Sequence, residues 1–508
     1  MPMNDMQFLA AYGEFDKDVL VSAGAGSGKT QVLTSRVTNL IEKGVKPTEL
    51  LVLTFTNAAA AEMKARVRDM LNDKPELRDS VALLEQAYIT TFDSFNLSMC
   101  KKYFYALNIS PNLGICDSSS MKIKKQEIID DILNELYESH DPALEEYLNK
   151  FTDKRDDKLK DNLFSLINSI DKLDDSLEYL RHYDDKFFSD DFKTKIKNDY
   201  LNLCLNYKEK AVKILDSLMA STNSLKSQNA IQAIIDCFLQ NSYEGIKEAS
   251  SMDLPRKGKN DSDDFSSLKE SLKKEALIPL FELTSYSSLD EAIEKYLSSK
   301  PSVDLFINIL IKYYERIEAY CSKTGLYEFN DIQKLAIRLV KNNLDIRMEM
   351  QKQFKYILID EYQDTSDLQE GFISYFKNNN RFMVGDIKQS IYRFRNANPN
   401  IFKQKYESYY SINKDNYPSK RDEYSNFPGY LIDMNQNFRS REEVLSDINN
   451  MFSLLMTKEV GDAQYAMSHQ MKFGLSLYNN QKCSDEKGFT SDIIYYPYDK
   501  EKKIDRAY

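Results

Sequence analysis

"LVSAGAGSGKT", residues 20–30, is an apolar run that breaks into alternating Gly, Ala and Ser and ends in Gly28-Lys29-Thr30. Glycine is scarce here, 15 in 508 residues, yet Gly24, Gly26 and Gly28 fall within five positions. A short strand (Val19 to Ser22), a glycine-rich turn and a helix opening near Thr30 form an arrangement in which consecutive backbone N–H groups curl around phosphate oxygens. The helix N-terminus adds partial positive charge. Lys29 then reaches the β- and γ-phosphates of a nucleotide, and Thr30 ligates Mg²⁺. One position departs from G-x-x-x-x-G-K-[ST], since Ala23 takes the place of the first glycine.

A phosphate loop needs an acidic strand end to hold its metal. "FKYILIDEYQD", residues 354–364, supplies one at the edge where open α/β sheets bind ligands. Asp360 is the expected Mg²⁺ ligand, and Glu361 the residue that orients or deprotonates an attacking water.

Around these two stretches the texture alternates. Up to about residue 110, β-branched runs such as Leu50 to Thr54 alternate with helical patterns, as in βαβ units of a parallel sheet. From about 120 to 325 Gly and Pro nearly vanish, and apolar residues recur at helical spacing, as in "IIDDILNELYESH". This is a helical insertion, interrupted by the polar loop "RKGKNDSDD". Sheet texture returns in "KYILIDEYQDT" and "RFMVGDIKQS", and after the polar stretch "NKDNYPSKRDEYSNFPG" another strand, "YLIDM", follows.

Composition narrows the class further. A chain with 42% hydrophobic and 29% charged residues and no apolar run near ~20 residues has nothing with which to span a bilayer, and "MPMNDMQFLAAY" lacks the basic and apolar regions of a signal peptide. The expectation is a cytoplasmic protein without a membrane partner. Six scattered cysteines and three isolated histidines predict neither a disulfide framework nor a zinc site. The net charge of −11 argues against a protein coated in nucleic acid but leaves room for a local basic groove.

Six motifs in order, "AGAGSGKT", "TFTNAAAAEMKAR", "TTFDSF", "IDEYQDTSDLQ", "VGDIKQSIYRFRNANP" and "NQNFRS", resemble those of superfamily 1 DNA helicases of the UvrD/Rep type. The Lys388-containing "GDIKQSIYRFR" and the long insertion look closest to the RecB/AddA branch of helicase-nuclease subunits. The resemblance implies a P-loop NTPase (RecA-like) α/β core: a first segment over 1–115, the helical insertion over 116–325, a second segment over 326–412, and the start of a second, truncated RecA-like domain over 428–508. It implies ATP and Mg²⁺ as cofactors, bound by Gln7 of "NDMQFLA" at the adenine edge, by Ala23, Gly24, Ala25, Gly26, Ser27, Gly28, Lys29, Thr30 and Gln31, and by Phe438 stacked on the base. Mg²⁺ falls to Thr30 and Asp360. Lys29, Glu361, Gln389 as γ-phosphate sensor and Arg439 from the second core domain are the catalytic set.

Phe55, Asn57, Tyr392, Phe394 and Arg395 are the DNA contacts that the resemblance implies, with rings that stack on any base. Taken alone, each ring is more often core than platform. The function implied is an ATP-dependent 3′ to 5′ DNA helicase of double-strand-break repair, acting on single-stranded and duplex DNA beside an AddB-like partner subunit. Asp93 stands where relatives commonly carry histidine, and no further core motif or nuclease is visible before Tyr508. The chain reads as the N-terminal part of a larger protein. The alternatives are an ATP-gated DNA-binding module without unwinding, and a structural subunit with a vestigial ATP site.

Overall fold

The strand-forming runs are short, apolar and nearly free of alternation, as expected when both faces of a parallel sheet are covered. The computed structural model describes residues 3–152, 155–376, 378–417, 425–457, 465 and 470–474. The chain divides into two compact units, one comprising 1–121, 171–174 and 321–508, the other 122–170 and 175–320.

The first unit is built on a parallel sheet. Its strands are β1 (Asp18–Ala23), β2 (Leu50–Thr54), β3 (Tyr88–Thr91), β4 (Tyr356–Ile359), β5 (Arg381–Gly385), β6 (Tyr410–Ser411) and β7 (Gly429–Met434). They lie in the order β3-β2-β4-β5-β1-β7-β6, every neighbouring pair parallel. Strands β1, β2, β5 and all of β4 beyond Tyr356 are fully buried. Their side chains Val19, Val21, Val52, Leu358 and Val384 share one core with Val32, Leu33 and Val37 of helix α2 (Lys29–Glu42) and with Met63 and Val67 of helix α3 (Asn57–Asn72). This is the α/β sheet that the sequence predicts.

The placement of β7 corrects the expected domain order. "YLIDM" is assigned by its sequence to a second core domain beginning at 428, but Gly429–Met434 pairs with Asp18–Ala23 along its whole length and lies between β1 and the edge strand β6 of the first sheet. A strand's apolar pattern states that it is buried without stating in which sheet. Of the expected second domain, residues 458–464, 466–469 and 475–508 lie outside the described residues.

The second unit is helical. Its longest helix, Asp190–Ala220, starts at a Ser189 cap and carries Cys204, Ala211, Leu215 and Leu218 on one buried stripe. That stripe packs with Ile231, Ile234 and Phe238 from Leu225–Leu239 and with Phe265, Leu272 and Leu280. Serine caps recur at Ser224, Ser242 and Ser288, each accepting a backbone N–H of the first turn. Among the described residues no helix is long and apolar enough to cross a membrane.

Candidate functional site

Because all strands of the sheet are parallel, their carboxyl ends lie along one edge, where the chain leaves each strand and ligands of open α/β sheets bind. Apart from "NDMQFLA", which lies on the helix Asp5–Tyr12 before β1, the motifs singled out in the sequence begin there. β1 runs into the phosphate loop, β2 into Phe55 and Asn57, β4 into Asp360 and Glu361, β5 into Asp386 and Gln389, and β7 into Asn437, Phe438 and Arg439.

In the loop itself Gly26 and Gly28 have φ of 69° and 85°, and Gly28 caps α2 in the left-handed region that side chains avoid. Thr30 is the second residue of α2, and Gln31 follows it exposed. Lys29 Nζ donates to Glu361 Oε2 at 3.0 Å and to Gln389 Oε1 at 3.3 Å, so loop, acidic strand end and glutamine converge on one ammonium. Glu361 reaches it from a left-handed backbone, φ 49°, a conformation costing a non-glycine residue about 1–2 kcal/mol.

Two residues that the sequence did not single out tie the segments of the site to one another. Gln363 donates from Nε2 to Glu361 (2.9 Å) and Asp364 (3.0 Å), and its Oε1 accepts the Asp386 N–H at 2.9 Å. Gly385 is required for that approach, since a Cβ there would stand 2.5 Å from Gln363 Oε1. Asp386 in turn accepts Gln389 Nε2 at 2.7 Å and pairs with Lys388 at 2.9 Å, which fixes the Gln389 carboxamide toward Lys29. Burial, and then the Glu361 charge, pushes the Asp360 carboxyl up to about 6 against the pull of Lys29. The same two causes raise Asp364 to about 6. The second such residue is Asn437. Both lay inside the quoted motifs, but their spacing carried no catalytic signature.

Gln7 is 3% exposed, and its carboxamide is engaged by the protein: Oε1 accepts Asn4 N at 2.9 Å and Nε2 donates to Ser27 O at 2.9 Å. In this arrangement it supports the phosphate loop from the first helix. Phe438 lies half-buried with its ring against Gly474, while its N–H donates to Gly26 O at 2.9 Å. Arg439 is exposed and follows the end of β7 by five residues, beside the loop. Its Cβ lies 2.9 Å from where a Cβ on Gly26 would be.

The aromatic residues form a contiguous patch. The rings of Phe55 and Tyr392 are 4.6 Å apart, Tyr392 and Phe394 are 5.7 Å apart, and the Arg395 guanidinium lies 5.5 Å from the first of these two rings and 5.8 Å from the second. Phe394 is 75% exposed. Asn57 is exposed at the start of α3, and its Oδ1 faces the hydroxyls of Thr91 and Ser94 at 3.5 Å each. Asp93 is turned away from this surface: its Oδ1 accepts Gln333 Nε2 at 2.8 Å, and burial raises its carboxyl.

The residues fit a nucleotide with its metal. The left-handed glycines keep a cradle that any Cβ would fill, at Gly28 within 2.7 Å of Gln7. Asp360 is a half-buried carboxyl whose charge a cation would offset. Among the described residues no group of three or more His, Cys, Asp or Glu is arranged to hold a metal alone, so Mg²⁺ on Thr30 and Asp360 would take its remaining oxygens from phosphate and water.

Residues 3–410 match the family model described as the UvrD/REP helicase N-terminal domain. The chain is 30% identical over 519 residues to an ATP-dependent helicase/nuclease subunit from Clostridioides difficile (strain 630), covering 91% of this chain and 39% of that protein. It is 29% identical over 528 residues to the protein of the same name from Clostridium botulinum (strain 657 / Type Ba4), covering 90% and 40%. A third, from Thermoanaerobacter sp. (strain X514), is 29% identical over 503 residues, again 90% and 40%. The chain thus spans about two fifths of the length of these relatives.

Proposed function

The chain belongs to the UvrD/REP helicase N-terminal domain family, and from that premise we propose that it is the ATP-binding part of a DNA helicase subunit of the AddA kind, moving 3′ to 5′ on single-stranded DNA and unwinding duplex in double-strand-break repair. Polarity and pathway rest on the motif resemblance, and a partner rests on the relatives' being named as one subunit of a helicase/nuclease. The observation that carries the reading is the segment from Asp386 to Arg395. One end of it holds Gln389 against Lys29, and the other presents Tyr392 and Phe394 beside Phe55.

Mg·ATP, when bound, supplies the phosphoryl group to be transferred and the metal charge that offsets it. The loop amides and Lys29 bind and orient phosphate oxygens. As Lys29 turns from Glu361 toward them, Glu361 Oε2 keeps the Gln363 N–H but gains a lone pair with which to accept a proton from water. Gln389 follows the same ammonium, and because it shares a short segment with Tyr392 and Phe394, its movement shifts the rings that grip a strand. Base stacking tolerates any sequence, which suits a motor.

Glu361→Gln keeps the size and the Gln363 contact while removing the base. Mg·ATP affinity should stay within about two-fold and hydrolysis should fall by ~10² or more. Equal loss of binding and turnover would make Glu361 a structural residue and overturn the assignment.

A further inference from the structure

The register of β1 and β7 does not stop at the strand ends. Ala23 is the last partnered residue of β1, opposite Met434. Beyond it, three consecutive loop residues stay bonded to the end of β7 and the segment after it: Gly24 N donates to Met434 O (3.3 Å), Asn437 Nδ2 to Ala25 O (2.8 Å), and Phe438 N to Gly26 O (2.9 Å). Asn437 is 3% exposed and uses both ends of its carboxamide. While Nδ2 holds the phosphate loop, Oδ1 accepts the N–H groups of Arg439 and Ser440, each at 2.8 Å. Gly26 makes this approach possible, because a Cβ there would lie 2.9 Å from Asn437 Nδ2 and 3.0 Å from its Oδ1.

We propose that Asn437 is a positioning residue that ties the turn bearing Arg439 to the phosphate loop, so that this arginine is set in place by the first core sheet. The proposal rests on the ATPase reading above and deepens it. One carboxamide spans loop and turn, so a displacement of either is passed to the other, and Arg439 moves with Ala25 rather than with any later part of the chain. Nothing in the spacing of "NQNFRS" requires this, since an arginine delivered from another domain would need no bond to Ala25.

Asn437→Asp separates the two halves of the role. It keeps an oxygen for the Arg439 and Ser440 amides, so the turn folds, but it replaces the donor to Ala25 O with an acceptor. Asn437→Ala removes both. Three measurements on the whole chain read the outcome: Mg·mant-ATP affinity, basal ATP hydrolysis, and amide hydrogen exchange at Phe438 and Arg439. The expected result for Asn437→Asp is near-native nucleotide affinity, hydrolysis lowered about 10²-fold to the level of Arg439→Ala, and lost protection at Phe438. The double variant Asn437→Asp with Arg439→Ala should be no slower than either single one, because the first acts through the second. Native hydrolysis and native exchange in Asn437→Asp would overturn the proposal, as would losses that multiply in the double variant. If the wild-type chain binds and cleaves no ATP, the ATPase reading fails, and exchange at Phe438 still decides whether the tether exists.

Discussion

Glu361 occupies the left-handed region at φ 49°, a position a glycine would take without strain, so the surroundings must hold it there. Gln363 does so from one side and Lys29 from the other. Gln363→Leu would leave the buried Asp386 N–H without its acceptor and free the Glu361 carboxylate. The expected cost is about 1–3 kcal/mol of stability, read by denaturant unfolding, with hydrolysis reduced more than nucleotide affinity. That Lys29 and Glu361 meet is legible in the sequence from the phosphate-loop pattern and the acidic strand end, whereas Gln389 enters only through the family resemblance. The parts played by Gln363 and Asn437 are not legible. A buried carboxamide acts through partners distant in sequence, here Asp386 and Ala25, and no local pattern names them. Gln7 shows the reverse, a motif residue whose contacts in this structure are to Asn4 and Ser27.

At the scale of elements, the carboxyl ends of the strands carry the candidate site and the opposite ends carry a buried charge network. Arg381, at the start of β5, is 4% exposed; its guanidinium bonds Asp18 from Nε (2.8 Å) and pairs with Glu370 at 2.9 Å, where Lys405 also pairs at 2.9 Å. Burial works to raise the Glu370 carboxyl, but Arg381, Lys405 and the Tyr362 hydroxyl together hold it below its ordinary 4.5. A carboxyl lowered on folding contributes stability that is present above the unfolded value and lost as pH falls through the folded one. Thermal stability should therefore drop on acidification below about pH 4.5, and Glu370→Gln should flatten that drop while lowering the starting value. At the other edge, Phe394→Ala removes a ring that is 75% exposed. It should weaken single-stranded DNA binding by ~1–3 kcal/mol without sequence dependence and leave the melting temperature unchanged. Unchanged affinity would assign the ring to another purpose. Strands β1, β2, β4 and β5 are legible as continuous apolar runs, whereas β7 misleads, because its partner β1 is about 400 residues away and pairing register is a tertiary fact.

For the whole molecule, the proposed function makes the segment from Asp386 to Arg395 the link between nucleotide and strand, inside a chain whose net charge of −11 gives DNA no general attraction. On that proposal, affinity for a strand comes from the local patch of rings and Arg395, and the state of the nucleotide site alters it. Coupling of this kind is reciprocal and typically amounts to about 5–150-fold in affinity. The direct measurement is the affinity of the chain for a fluorescent oligo-dT strand, taken without nucleotide and with a saturating Mg²⁺ complex of a non-hydrolysable ATP analogue, in the wild type and in Gln389→Ala. The predicted result is a change of about five-fold or more in the wild type that shrinks toward unity in Gln389→Ala, with nucleotide still bound. Equal strand affinity with and without the analogue in the wild type would contradict the coupling.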